Sequence, residues 1–303
     1  MEECVTDLRE DALIARLTAG SHLSGDVRVG PGDDCAVIDF STSDGSLLLL
    51  KTDCVIESVH FAPGSDPEKV GWKAMCRVIS DIAAMGGTPK HALVTIAFDS
   101  KRKVSEVEGW YRGMRKATRE FGDFSIVGGE TASLPTQGAI ISISMTGSVP
   151  ANRYFTRSGA KAGDLIAVTG RLGGSFKSER HLTFRPRFFE ASWLGSLPED
   201  LRPTAMMDLS DGLSKDLPRL ADLSGVPGFE IDFSKIPIHS DSDLKGAIGD
   251  GEDYELLMTL PQAAAVTLGK DWKKQFPDCE LTVIGEMSDK QNRTPLEGGW
   301  EHF

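Results

Sequence analysis

Acidic residues sit beside glycine, serine or threonine at six places spread over most of the chain: Gly32-Asp33-Asp34, Thr52-Asp53, Ser80-Asp81, Gly128-Gly129-Glu130-Thr131, Asp208-Leu209-Ser210-Asp211-Gly212 and Gly251-Glu252-Asp253. Most of them follow an apolar stretch, so the fold has to end buried segments on carboxylates. Hard oxygen donors on tight turns are what Mg²⁺ and a polyphosphate require, because Mg²⁺ takes one or two carboxylates and fills its other positions with water and phosphate oxygens. The pattern points to phosphoryl transfer. Any one of these acids alone is also ordinary turn or helix-cap chemistry, but two placements go further. Asp81 closes the helical segment 67–85 just before Gly86-Gly87, where the helix dipole disfavours an anion, so a cation is expected beside it. Asp208 and Asp211 crowd one strand-to-helix turn with no Lys or Arg before Lys215, a costly arrangement unless a metal shares it.

Composition narrows the classes. The 303 residues are 40% apolar, enough for the cores of two ordinary domains. Lys and Arg number 33 against 45 Asp and Glu, a net charge of −12, which argues against a nucleic-acid partner. The longest apolar stretch, near Leu47–Leu50, is far too short to span a bilayer, and Met1-Glu2-Glu3-Cys4 is acidic where a signal peptide is basic. No membrane partner and a cytoplasmic location are expected. Cys4, Cys35, Cys54, Cys76 and Cys279 are odd in number and lack C-x-x-C spacing, so they read as reduced thiols rather than a disulfide framework or a zinc site.

Periodicity predicts helices at 7–19, 67–85, 104–121, 214–223 and 262–275, and strands within 27–40 and at 46–51, 91–98, 139–149, 165–169, 229–233, 254–260 and 280–285. The order is mixed α and β, with a boundary near Pro150-Ala151-Asn152. G-x-x-x-x-G-K-[ST], G-x-G-x-x-G and H-R-D are all missing, which disfavours the common kinase folds and leaves a scheme in which carboxylates and Mg²⁺ hold ATP.

At this point the residues resemble thiamine-monophosphate kinases, in the superfamily of aminoimidazole ribonucleotide synthetase. The resemblance covers nearly the whole chain and rests on Gly32-Asp33-Asp34-Cys35-Ala36, Lys51-Thr52-Asp53, Val59-His60-Phe61, Ser80-Asp81-Ile82-Ala83-Ala84-Met85-Gly86, Thr156-Arg157-Ser158-Gly159-Ala160, Asp208-Leu209-Ser210-Asp211-Gly212-Leu213, Gly251-Glu252-Asp253-Tyr254-Glu255-Leu256 and Gly299-Trp300-Glu301-His302-Phe303. It implies an α/β (α+β) fold of two domains. Residues 1–150 would form a mixed-sheet domain that binds ATP and Mg²⁺ and dimerises, and 151–303 an α/β domain completing the cleft. The implied reaction is direct transfer of the ATP γ-phosphoryl group to thiamine phosphate.

Carried over by position, Asp34, Thr52, Asp53, Asp81, Asp208 and Asp211 are expected to ligate several Mg²⁺ ions, and the five aspartates form the catalytic set. Glu130 stands where the family commonly has a metal-binding Asp. Phe121, Gly129, Glu130, Arg157 and Ser210 are expected at ATP; His60, Glu252 and Trp300 at thiamine phosphate, where Trp300 offers an aromatic face to a cationic heterocycle. Lys51 stands where the family often has a Ser ligand, so one ion is expected to be missing or replaced by the ammonium. Two other classes stay open: an aminoimidazole ribonucleotide synthetase-like enzyme, and a non-catalytic nucleotide or metal sensor.

Overall fold

A computed structural model describes residues 10–19 and 22–300. Met1 to Cys4, the start of the expected helix at 7–19, Gly20, and Glu301-His302-Phe303 lie outside the described residues. After helix α1 (Glu10–Thr18), six strands form the first sheet: β1 (Val27–Val29), β2 (Ala36–Ile38), β3 (Ser46–Ile56), β4 (Thr88–Asp99), β5 (Ser125–Leu134) and β6 (Ala139–Pro150). Their order is β1-β2-β3-β6-β4-β5, antiparallel except for the β4–β5 pair.

Alternation decides which side is covered. In β6, Ile141, Ile143, Met145 and Val149 point inward while Ser142, Ser144, Thr146 and Ser148 point out; β4 repeats this with Ala92, Val94 and Ile96. Helix α2 (Pro67–Ala84) lies on the inward face, backed by α3 (Val104–Glu120). The Asp66 carboxylate caps α2 by accepting from Glu68 N and Lys69 N, and Pro67 opens it. The two helices cross at backbone contact: a Cβ at Gly71 would stand 1.9 Å from the Trp110 carbonyl oxygen, and one at Gly113 would stand 1.9 Å from that of Glu68.

The second sheet takes β7 (Leu165–Thr169), β8 (Ala205–Leu209), β9 (Gly228–Ile231), β10 (Glu255–Leu260) and β11 (Leu281–Ser288) in the antiparallel order β8-β10-β7-β11-β9. It is buried on both faces. Met206, Leu256, Met258 and Leu260 join the core of the first sheet, whereas Ile166, Val168, Met207, Leu209 and Leu257 form a second core. Between these strands lie α4 (Phe188–Ser196), α5 (Leu213–Leu223), α6 (Leu244–Gly249) and α7 (Gln262–Gln275). Helix α2 packs against β3, β4 and β6 on one side and β8 and α4 on the other, so it is buried from Val70 onward except for half-buried Arg77.

Several elements depart from the sequence expectations, the six-residue α6 among them. β3 runs on to Ile56 because buried Val55 continues the alternation, which puts Thr52-Asp53 inside a strand and not on a turn. β5 and α4 have no counterpart among the expected elements: β5 carries two glycines and is exposed along most of its length, and α4 is apolar on most sides, so neither shows a clean period.

Candidate active site

Four segments bring the acids together. The Asp33-Asp34 loop follows β1, Asp53 lies on the inward face of β3, Asp81 sits in the last turn of α2, and Asp208 ends β8. Asp34, Asp81 and Asp208 are buried, and each offers a carboxylate oxygen within 4.8 Å of the others. Arg157 grips Asp34 Oδ1 through Nη2 at 2.6 Å and Nε at 3.1 Å. Lys51 Nζ donates to Asp81 Oδ1 at 2.7 Å, the cation that the helix dipole argument requires. Ser80 Oγ donates to Asp208 Oδ2 at 2.7 Å.

Two oxygens of this knot, Asp34 Oδ2 and Asp208 Oδ1, are buried without any hydrogen-bond partner. Leaving a charged oxygen so costs free energy, on the order of 1–3 kcal/mol each or more. Burial, reinforced by the Asp34 charge, pushes the Asp208 carboxyl up to about 6. Burial also drives Asp81 well above the usual range, with Lys51 opposing. For Lys51, burial works against the charge, but Asp81 and Asp53 outweigh it and keep the ammonium protonated. The unpartnered, hard, mutually repelling oxygens fit a divalent cation with oxygen preference, Mg²⁺ above others.

A second network adjoins the knot. Lys73, Arg77, Ser80 and Asp81 share one stripe of α2 by their i, i+4, i+7, i+8 spacing. Arg77 holds Asp53 with Nε at 3.1 Å and Nη2 at 3.2 Å and reaches Glu252 with Nη1 at 3.3 Å. Fully buried Lys73 donates to Glu252 Oε2 and to the His60 carbonyl oxygen. Burial pushes the Glu252 pKa upward, but Lys73 and Arg77 outweigh it, so the carboxyl stays below its ordinary value. Glu252 and Tyr254 both adopt left-handed φ, 58° and 53°, a strain of about 1 kcal/mol or more apiece. Their turn is pinned to the Asp208 turn, Glu252 N donating to Ser210 O at 2.7 Å and Tyr254 N to Leu209 O at 2.8 Å. The cleft measures about 910 Å³ and is lined by Lys51, Asp53, Arg77, Asp81, Arg157, Asp208, Ser210 and Asp211. Beyond it Trp300, Phe176 and His181 stack in series, Phe176 lying 6.3 Å from the first and 4.3 Å from the second, with Lys73 Nζ 5.4 Å from the Phe176 ring.

Sequence comparison decides the family. The chain is 33% identical over 301 residues to the thiamine-monophosphate kinase of Aquifex aeolicus, covering 90% of this chain and 92% of that one. It is 35% identical over 280 residues to that of Rhodopirellula baltica, with 87% and 86% covered. This chain belongs to the thiamine-monophosphate kinase family. The model for "AIR synthase related protein, N-terminal domain" matches residues 32–149. A solved structure of AaThiL complexed with AMPPCP and TMP superposes with TM-score 0.83 at 29% identity, all of both chains being covered.

Within this kinase-family fold the expected site residues separate into groups. Asp34, Asp53, Asp81, Asp208, Ser210, Asp211 and Arg157 meet at the cleft. Asp211 lies on its rim, paired with Arg219 at 3.2 Å. Glu252 belongs to the adjoining network, buried His60 accepts from Ile56 N through Nδ1 at 3.0 Å, and Trp300 N donates to Asp211 O at 2.9 Å.

Four of the expected residues stand away from the acid knot within this chain. Thr52 lines the cleft with Lys51 and Asp53, but its side chain leaves on the opposite face of β3, its hydroxyl meeting Ser144 Oγ at 3.1 Å, because successive strand residues point to opposite sides. Gly129 and Glu130 lie on β5, three strands from β3, and within this chain they stand apart from the acid knot. Phe121 is fully buried among Trp72, Phe188 and Phe189, so its ring has no face to offer adenine. Lys73, Arg77 and Phe176 escaped the sequence reading. A lysine and an arginine four apart within the apolar stripe of α2 were the available signal.

Proposed function

We propose that this chain transfers the γ-phosphoryl group of ATP to thiamine phosphate, giving thiamine diphosphate and ADP, in one in-line step. The observation that carries this is the pair of unpartnered buried oxygens, Asp34 Oδ2 and Asp208 Oδ1, beside a network that ends in a buried glutamate and an aromatic stack. The named relatives and the structure complexed with AMPPCP and TMP support the same substrates.

Asp34, Asp81 and Asp208 would hold Mg²⁺, with Asp53 and Asp211 nearby; when bound it neutralises phosphate oxygens and aligns them. Arg157 sits where its fork matches phosphate oxygens, and Ser210 offers a hydroxyl to the nucleotide. Trp300 and Phe176 present ring faces to the cationic heterocycle of the acceptor, while Glu252, held by Lys73 and Arg77, and His60 fix its approach. The acceptor phosphate is ionised at pH 7, its second pKa being about 6. It therefore attacks without a general base, and the work of the chain is to bring two anions into line.

The two sheets, divided near residue 150, serve as a nucleotide half and a cleft-closing half. The outward face of the first sheet, with Leu93 and Val127 about half exposed beside Thr52, Thr95 and Glu130, is the surface on which a second copy docks, and Thr52, Gly129 and Glu130 act from that interface. Among the described residues no helix is long and apolar enough to cross a membrane, and Cys35, Cys54, Cys76 and Cys279 are free thiols, in keeping with a cytoplasmic reaction.

The test is Mg²⁺-dependent ADP release with thiamine phosphate, thiamine or formylglycinamidine ribonucleotide as acceptor. Release with thiamine phosphate alone, with thiamine diphosphate formed, is the expected result. Release with the ribonucleotide would move the chain to purine synthesis, and silence with all three would make it a sensor.

A further inference from the structure

The acids around the knot are not equally available to a metal. Asp53 has both oxygens engaged: Oδ1 accepts from Cys54 N at 2.6 Å and from Arg77 Nη2, and Oδ2 accepts from Arg77 Nε. Asp81 gives one oxygen to Lys51. Both cations are themselves largely buried in place, with side chains 12% exposed for Arg77 and 22% for Lys51, and neither is an outlying surface charge free to leave at no cost. Four carboxylates, Asp34, Asp53, Asp81 and Asp208, thus face three fixed positive charges, Lys51, Arg77 and Arg157. With all four carboxylates ionised, as a bound divalent ion requires, the net of about one negative charge matches a single such ion, whose binding would leave the pocket positive and ready for polyphosphate.

We propose that Lys51 and Arg77 are built-in cations that stand in for divalent ions. Asp53 then acts as the counter-ion of Arg77, and one tight metal position remains, formed by Asp34 Oδ2, Asp81 and Asp208 Oδ1. Arg77 is well suited to this because its guanidinium stays charged at every working pH and its fork spans both Asp53 oxygens while a third nitrogen reaches Glu252. The same side chain therefore ties the nucleotide half of the cleft to the acceptor half. This inference rests on the metal reading given above and refines its count.

Mn²⁺ titration of the purified full chain, followed by electron paramagnetic resonance without nucleotide, tests it. Wild type is expected to take up about one tightly held ion per chain, in line with the charge count. Lys51→Ser combined with Arg77→Ala should take up about one more, and Arg77→Lys should keep the wild-type number because it keeps the charge. Thermal melts identify variants that fail to fold, and the Arg77→Lys and wild-type counts then still decide. Several tight ions on wild type, or equal counts on wild type and the double variant, would overturn the inference while leaving the kinase reading intact. No tight Mn²⁺ on wild type, together with ADP release in metal-free buffer, would overturn the metal reading itself.

Discussion

The acid knot and the Glu252 network lie side by side on the same helix yet are built on opposite electrostatic terms. In the knot, Asp34 Oδ2 and Asp208 Oδ1 have no partner and burial raises Asp208 to about 6. In the network every charge is answered: Glu252 by Lys73, Arg77 and the Tyr254 hydroxyl at 3.2 Å, and Lys73 additionally by a carbonyl. The first region leaves two carboxylate oxygens unanswered; the second is complete and serves as framework. Buried charge, then, marks a ligand position only where its partners are missing.

Asp208→Asn separates the two most sharply. It should lower kcat about a thousandfold, since charge stabilisation at such a site supplies several kcal/mol. It should also make the metal-free chain more stable at pH 7.5, by about 1–3 kcal/mol, because it removes an unanswered buried charge. Steady-state kinetics and chemical denaturation check both halves, and a destabilised Asn variant would contradict the contrast. Glu252→Gln should do the reverse to stability, costing about 3–5 kcal/mol by stranding buried Lys73, and should raise KM for thiamine phosphate roughly tenfold to a hundredfold.

The two regions should also part in their response to pH. Asp208 must lose its proton to hold a metal, and its carboxyl is raised to about 6, so Mn²⁺ affinity should fall by at least about tenfold per pH unit below 6, with raised Asp81 adding to the fall. Glu252, held below the ordinary carboxylate range, should keep its charge throughout that window, and isothermal titration at pH 5, 6 and 7 would show whether one proton is released. The smallest effect is expected at the aromatic end. Trp300→Ala should raise KM for thiamine phosphate about fivefold with kcat little changed, in keeping with about 1 kcal/mol for a cation over an indole.

Much of the knot was legible because its acids stand beside Gly or Ser in strings that survive without three-dimensional context. Asp81 at the wrong end of a helix announced a cation, and the structure supplies Lys51. What stayed hidden had physical reasons. Strand alternation sends Thr52 and Asp53 to opposite faces, which a motif read as a string does not convey. Strand β5, with Gly128 and Gly129 and both faces largely open, shows no hydrophobic period. Phe121 reads as the frayed end of α3, but α4, itself lacking an amphipathic pattern, folds Phe188 and Phe189 over it. Lys73 and Arg77 were hidden by their apolar neighbours, since a lone buried cation in a sequence carries no sign of the carboxylate it will meet.

Helix α2 carries Lys73 in the Glu252 network and Asp81 in the acid knot, eight residues apart, a separation of about 12 Å along the axis at 1.5 Å per residue. It is locked against α3 by Gly71 and Gly113, with no room for a methyl group. The helix therefore works as a gauge whose two jaws cannot be reset one at a time. A shift at the α2–α3 crossing would be registered at the knot and at the Glu252 network together, because the pair of glycines that holds the helix in place touches neither.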